Sequence, residues 1–224
     1  MAKITWDKTG EHFYEVGVDR GVLYPMKNDG SGYDKGVAWN GLTGVSEKPS
    51  GAESSDQYAD NVKYLSIRSA EKFDATIEAF TYPDEFGACD GTAELTTGVK
   101  VGQQTRKAFG LSYRTMLGND TQGNDHGYLI HLIYGASAAP SEKGYSTVND
   151  SIEPIKFSWE ISTVPVPVEG KKPTSTLVIN STKAKNIKNL EDYLYGTDAG
   201  SGVSSGATGD PQLPLPDKVK TLLQ

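Results

Sequence analysis

Ile155-Lys156-Phe157-Ser158-Trp159-Glu160-Ile161-Ser162 alternates apolar and polar side chains without a break. Successive side chains of an extended chain point to opposite faces, so Ile155, Phe157, Trp159 and Ile161 share one face and the polar residues the other. This is the pattern of a strand with one buried face. Phe73 to Phe80 repeats it, with Phe73, Ala75, Ile77 and Ala79 inward and Asp74, Thr76 and Glu78 outward. Within Phe109 to Met116, Phe109, Leu111 and Tyr113 fall on one face. Tyr128-Leu129-Ile130-His131-Leu132-Ile133-Tyr134 is apolar on both faces, which predicts a central strand or one that meets another subunit. Weaker extended stretches cover 12–18, 37–42, 62–67 and 174–179.

Eight such strands, separated by Gly, Asp and Asn turns, predict a mainly β protein: an antiparallel sandwich or barrel. Ile187, Leu190 and Leu194 recur at helical spacing before Gly196 and predict one flanking helix. Near the end, Asp217 is placed to cap a short helix whose apolar stripe is Val219, Leu222 and Leu223. Residues 199–210 are rich in Gly and Ser and read as a flexible loop. Pro211, Pro214 and Pro216 then stiffen an extended stretch. The expected organisation is a β domain over 1–198, a loop over 199–210 and a C-terminal arm over 211–224.

The 224 residues carry 22 Lys and Arg against 29 Asp and Glu, a formal charge of −7, and such a surface repels nucleic acid instead of reading it. The single cysteine, Cys89, allows no internal disulfide and is expected as a small half-buried or loop residue. No run approaches the roughly 18 to 20 apolar residues of a membrane span. Met1 to Gly10 is polar, so export through a hydrophobic signal region is not expected.

Chemistry is sparse. His126 and His131 are five apart, on opposite faces of one strand, and cannot share a metal from it. The acidic loops 28–34 and 119–125 lack the Glu that a calcium loop places at its end and read as turns. Asp84, Glu85 and Asp90 around Tyr82-Pro83 read as an exposed turn, not an acid–base pair, and Ser112 as a polar strand position. No catalytic, cofactor-binding or metal-ligating residue is assigned, and the chain is not expected to be an enzyme.

Several segments in order resemble one family. Thr81-Tyr-Pro-Asp-Glu-Phe-Gly-Ala-Cys-Asp-Gly91 and Arg114-Thr-Met-Leu-Gly-Asn-Asp120 are similar to stretches of the major tail tube proteins of long-tailed, non-contractile bacteriophages. Gly123 to Gly135, Ala138 to Glu142, Tyr145 to Asp150, Phe157 to Val166, Leu190 to Asp198 and Leu213 to Asp217 follow in the family's order. The resemblance spans roughly residues 60–223. It implies a β-sandwich flanked by a helix, assembled into hexameric rings that stack into a hollow tube through which the genome passes. The implied partners are further copies of the chain, the tape measure, tail tip and tail terminator proteins, and DNA in transit. The implied location is the virion tail, after synthesis in the host cytoplasm, with no membrane and no cofactor.

On that reading Leu129 and Leu132 of the two-faced strand, with Leu213, Leu215, Val219, Leu222 and Leu223 of the C-terminal arm, are the expected inter-subunit contacts. Asp74 and Glu78 are candidates for a polar lining of the lumen. The same β fold leaves open a carbohydrate- or surface-binding module that uses exposed tyrosines, of which the chain has 12 in all.

Overall fold

The computed structural model describes residues 3–147, 153–197 and 209–224. The first part of the chain forms β1 (Tyr14–Pro25), β2 (Val37–Ala38), β3 (Leu42–Gly51), β4 (Ser54–Ala59), β5 (Val62–Arg68) and β6 (Glu71–Ala79). A helical turn, α1 (Phe86–Cys89), precedes β7 (Ala93–Thr96), β8 (Val99–Val101), β9 (Phe109–Asn119) and β10 (Gly123–Ala138). β11 (Phe157–Thr163), β12 (Thr176–Asn180), α2 (Ile187–Tyr195) and α3 (Pro216–Leu222) complete it. The fold is mainly antiparallel β, as the alternating segments predict. Of the expected loop over 199–210, residues 199–208 lie outside the described residues.

One sheet runs β2-β1-β9-β10-β11-β6-β3, with β12 paired to β10 as a branch. It doubles over, because Glu47 of β3 accepts a hydrogen bond from Tyr113 of β9 although the two strands are far apart in the sheet order. The turning point is Gly135. Before it, Leu129 to Ile133 of β10 pair with β12; after it, Ala136 to Ala138 pair with β11, and the register to β9 slips between Ile133 and Ala136. Gly135 has φ +58°, and a Cβ there would collide with the carbonyl oxygen of Val164. A strand that changes layers needs such an irregularity, and glycine supplies it without strain.

Two apolar cores result. Between the layers, Leu23, Leu111, Tyr113 and Ile133 meet Ala75, Ile77, Trp159 and Ile161. Trp159 is fully buried, and its ring lies 5.1 Å from Phe86, 5.4 Å from Tyr82 and 5.8 Å from Trp39. The alternation of 157–162 and 73–79 is therefore the inner face of one layer, whereas Ile155, expected inward, precedes β11 and is exposed. On the outside of the other layer, Val22, Tyr24, Ile130, Leu132 and Tyr134 are covered by Leu190 and Leu194 of α2 and by Leu213, Val219 and Leu222.

This second core corrects several expectations. β10 is apolar on both faces because its own chain covers both, with Leu129 and Leu132 buried. Leu213, Val219 and Leu222 are also buried and woven into the body, so the C-terminal segment is not a free arm; Leu223 is half-buried against the same core. Only Leu215 among these C-terminal residues is exposed. The segment is bound to the body by polar contacts as well: the Tyr134 hydroxyl donates to the Pro214 carbonyl (2.9 Å), and the Gln212 amide donates to that of Tyr193 (2.8 Å). Asp217 does not cap α3, which begins at Pro216 after Leu215; its Oδ1 instead accepts from the Glu169 amide at 3.1 Å.

The acidic turn at 84–90 differs as well. Asp90 is buried and carries two cations, Arg106 at 3.4 Å and Lys143 at 2.5 Å, so burial of its charge is compensated by partners. Cys89 beside it is fully buried, and burial pushes its thiol up to about 12.

Leu213 separates a tethered arm from a structural one. Leu213→Ala is expected to lower stability by about 2–5 kcal/mol, the usual cost of such a core truncation, read as a lower urea midpoint at unchanged slope. An unchanged midpoint would show that the segment is not part of the core.

Candidate functional site

A run of uncovered apolar side chains lies on β4 and β5. They form a two-stranded sheet of their own, in register from Ser54 opposite Arg68 to Ala59 opposite Val62. The connecting residues, Asp60 and Asn61, both have positive φ, +52° and +62°. Two consecutive left-handed residues make the tight hairpin turn whose twist matches the strands, and Asp and Asn tolerate that conformation best after glycine.

Every residue of β4 and β5 is exposed. Among them are Tyr58 at 71%, Tyr64 at 72% and Ile67 at 56%, with Val62 and Leu65. The hairpin continues the β3–β6 pair beyond Gly51 and Glu71, where Gly51 (φ +85°) turns the chain and Glu53 and Ser69 exchange hydrogen bonds of 3.0 and 3.1 Å. It is thus an arm of paired backbone with no core beneath it. Lys63 and Asp56 form a 2.8 Å ion pair on it. A lone two-stranded hairpin is marginally stable in water, so side chains such as these gain most when something covers them.

A second exposed segment precedes β1. Ile4, Trp6 and Phe13 are exposed, and the segment is held where β9 turns into β10: Asn119 donates to the Gly10 carbonyl at 3.1 Å, and the Phe13 ring lies beside that of His126. Asp120 accepts there from the backbone amides of Gly10 (2.9 Å) and His12 (3.4 Å), and its carboxylate lies 3.2 Å from the His12 ring. The Gly10 amide is the main reason that the Asp120 carboxyl is held down to about 2.

The sequence-selected residues divide differently. Leu129, Leu132, Leu213, Val219 and Leu222 lie inside this chain, so their side chains present little surface to a neighbour. Asp74 and Glu78 share the outward face of β6 and are half-buried. Glu78 forms a 2.6 Å ion pair with Lys156, which offsets its charge locally. Asp74 lies in a shallow depression of about 480 Å³ with Lys48, Thr76 and Glu160. His126 and His131 are separated as expected, His126 lying tilted beside Phe13 and His131 stacking on Tyr113. Among the described residues no three His, Cys, Asp or Glu side chains converge as a metal site would require, and no helix is long and apolar enough to cross a membrane.

The hairpin was the feature least visible in the sequence. Ser54-Ser55-Asp56-Gln57 has no apolar alternation, and the remaining signal was the Asp60-Asn61 turn beside the weak 62–67 stretch.

No protein-family model matches the chain, and no curated protein matches it. Among solved structures, a chain in the cryo-EM structure of the anti-feeding prophage baseplate, 6-fold symmetrised, is similar with a TM-score of 0.37 and 10% identity, over 78% of this chain and 97% of that chain. A likeness that distant leaves the function to be argued from this chain's own residues.

The Asp120 anchor has a pH signature. Because its folded-state carboxyl is held below the ordinary value of 3.8, the anchor stabilises the segment above that value and is lost as pH falls towards about 2. Asp120→Asn should therefore lower the protection of the Gly10 and His12 amides at neutral pH, taken relative to their intrinsic exchange rates, to the level that the unaltered chain reaches only in strong acid. Equal rates at neutral pH would show that the segment is held elsewhere.

Proposed function

We propose that the chain is a structural protein of a phage virion, one whose copies assemble into the hexameric, stacked rings of a tail tube that conducts the genome. The observation that carries this reading is the β4–β5 arm, a projecting hairpin with five large apolar or aromatic side chains exposed. A surface of that kind suits a contact repeated between identical subunits, where each side chain of the aliphatic or aromatic kind contributes about 1.5–3 kcal/mol when buried. The ordered series of segments between Thr81 and Asp217 that resembles tail tube proteins supports it independently of the hairpin.

The charge fits the same role. A formal −7 per subunit repels phosphate, so a ring of such subunits lets DNA pass without holding it. Asp74 and Glu78 contribute to such a lining only where their face turns inward, and Lys156 offsets part of Glu78. The reading assigns the chain no catalysis and no cofactor. Its partners would be copies of itself, then the tape measure, tip and terminator proteins of the tail; its place would be the virion, after synthesis in the host cytoplasm.

A carbohydrate-binding module would use Tyr58 and Tyr64 as a platform for a sugar, and would remain discrete. Negative-stain microscopy of the concentrated chain distinguishes the two. Rings or tubes are expected for the unaltered chain and their loss for Tyr64→Ser with Ile67→Ser, at an unchanged melting temperature because neither residue touches a core. Discrete particles at every concentration and salt, or unimpaired tubes from the double variant, would contradict the proposal.

A further inference from the structure

Glu47 stands where the arm leaves the body. β11 pairs with β6 from Ala79 only as far as Asp74, whereas β3 pairs with β6 on to Glu71. Beyond Asp74, therefore, three strands narrow to two. Glu47 is opposite Ala75, at the last stretch still held by β11, and four residues before Gly51.

Its side chain does not join its own layer but crosses to the facing one. The Tyr113 hydroxyl of β9 donates to Glu47 Oε1 at 2.6 Å, and His131 Nδ1 of β10 lies 3.6 Å from the same oxygen. The second distance is too long for a hydrogen bond, so the Tyr113 hydroxyl makes the bond that crosses between the layers. The two rings stack, with centroids 4.6 Å apart and planes 6° from parallel, and Thr115 Oγ1 fixes the far side of the imidazole at 3.1 Å from Nε2. The Thr115 hydroxyl also donates to Glu15 of β1 at 3.4 Å. The residues paired with Glu47 on β6 and with His131 on β12, Ala75 and Val178, are uncharged. Glu15, Tyr113 and His131 are thus the titratable groups facing this carboxylate.

We propose that Glu47 is a proton-operated clasp: its carboxylate ties the stalk of the hairpin arm to β9 and β10, and a proton added to that carboxylate lets the arm swing. Protonation forms one O–H bond on the carboxyl and removes its charge. The Tyr113 hydroxyl then faces a neutral acceptor in place of a charged one. Besides this bond, β3 is held here by its ladder with β6, whose Ala75 still pairs with Ile161 of β11, and by the 3.7 Å ion pair of Lys48 with Glu160; beyond Asp74 the β3–β6 pair has only Thr163, which donates to the Phe73 carbonyl, so it is this outer part that swings.

The carboxyl's chemistry agrees. His131 first, then the Tyr113 hydroxyl, hold it below the ordinary carboxylate range against the cost of burial. Tyr113 is pushed the other way, by burial first and then by Glu47, and so remains a donor. Since the folded-state value of Glu47 is depressed, the clasp is fully set above the ordinary carboxylate range and released as pH falls through the lowered value. The clasp works within one chain and stands apart from the assembly proposal.

The test is a distance measurement by pulsed electron paramagnetic resonance on dilute chain labelled at Ala59→Cys, at the arm's tip, and Asp125→Cys, exposed near the start of β10. Cys89 is buried and stays unlabelled. The expected result is a single narrow distance at neutral pH that broadens in acid, once the pH has fallen below the ordinary carboxylate range. Glu47→Gln should be broad at both pH values, and Tyr113→Phe broader than the unaltered chain at neutral pH. A Glu47→Gln chain as narrow as the unaltered one at neutral pH, or one narrow there that still broadens in acid, overturns the proposal. Should Glu47→Gln fail to fold, Tyr113→Phe decides alone, and a narrow distance in that variant overturns it equally.

Discussion

A sixteen-residue strand with apolar side chains on both faces cannot leave either face to water, and covering β10 organises the rest of this chain. The layer of β11, β6 and β3 folds over one face and packs Trp159, Ile77 and Ile161 against Ile133 and Leu111. The C-terminal residues return over the other, with α2, α3 and the stretch before α3 bringing Leu190, Leu194, Leu222 and Leu213 onto Ile130 and Leu132. Gly135 allows both, since it bends β10 so that one strand serves two layers. Residues as far apart as Tyr134 and Pro214 are hydrogen-bonded as a consequence.

With β10 satisfied internally, the apolar surface that remains is informative. Among the described residues it gathers on the β4–β5 arm and on the segment before β1, with scattered side chains such as Leu95, Val164 and Val178 elsewhere. Proteins usually blunt exposed strand pairs with charge or shield them, because free edges and apolar faces invite association. This arm carries one ion pair, Lys63 with Asp56, and otherwise offers Tyr58, Val62, Tyr64, Leu65 and Ile67. A projecting surface built so economically is suited to a subunit whose job is to meet its like, and the acidic charge suits one that lets nucleic acid pass.

The core strands were legible because burial of a single face imposes strict alternation, as in Phe157 to Ile161 and Phe73 to Ala79. The helix at 187–195 was legible from Leu190 and Leu194 with Gly196 behind them. The two-faced character of 128–134 was also plain, but what covers the outer face was not. Leu213 to Leu223 are separated from the sheet by residues 199–210, and no local pattern tells whether a tethered apolar segment reaches outward or folds back. Asp217 illustrates the same limit, since its partner, the Glu169 amide, is distant in sequence. The arm was hard to read for the opposite reason: with no core beneath β4, nothing forces alternation there. The clasp at Glu47 depends on three strands meeting across two layers, which no spacing in the chain encodes.

The central claim is that the hairpin surface, bare within one chain, is covered by another copy. Hydrogen exchange of the amides in 54–68, followed as a function of protein concentration, tests it directly. The account predicts that these amides exchange freely in dilute chain and become protected as large particles form, while those of β9 and β10 keep the same slow exchange throughout. Large particles in which residues 54–68 exchange as fast as in dilute chain would contradict it.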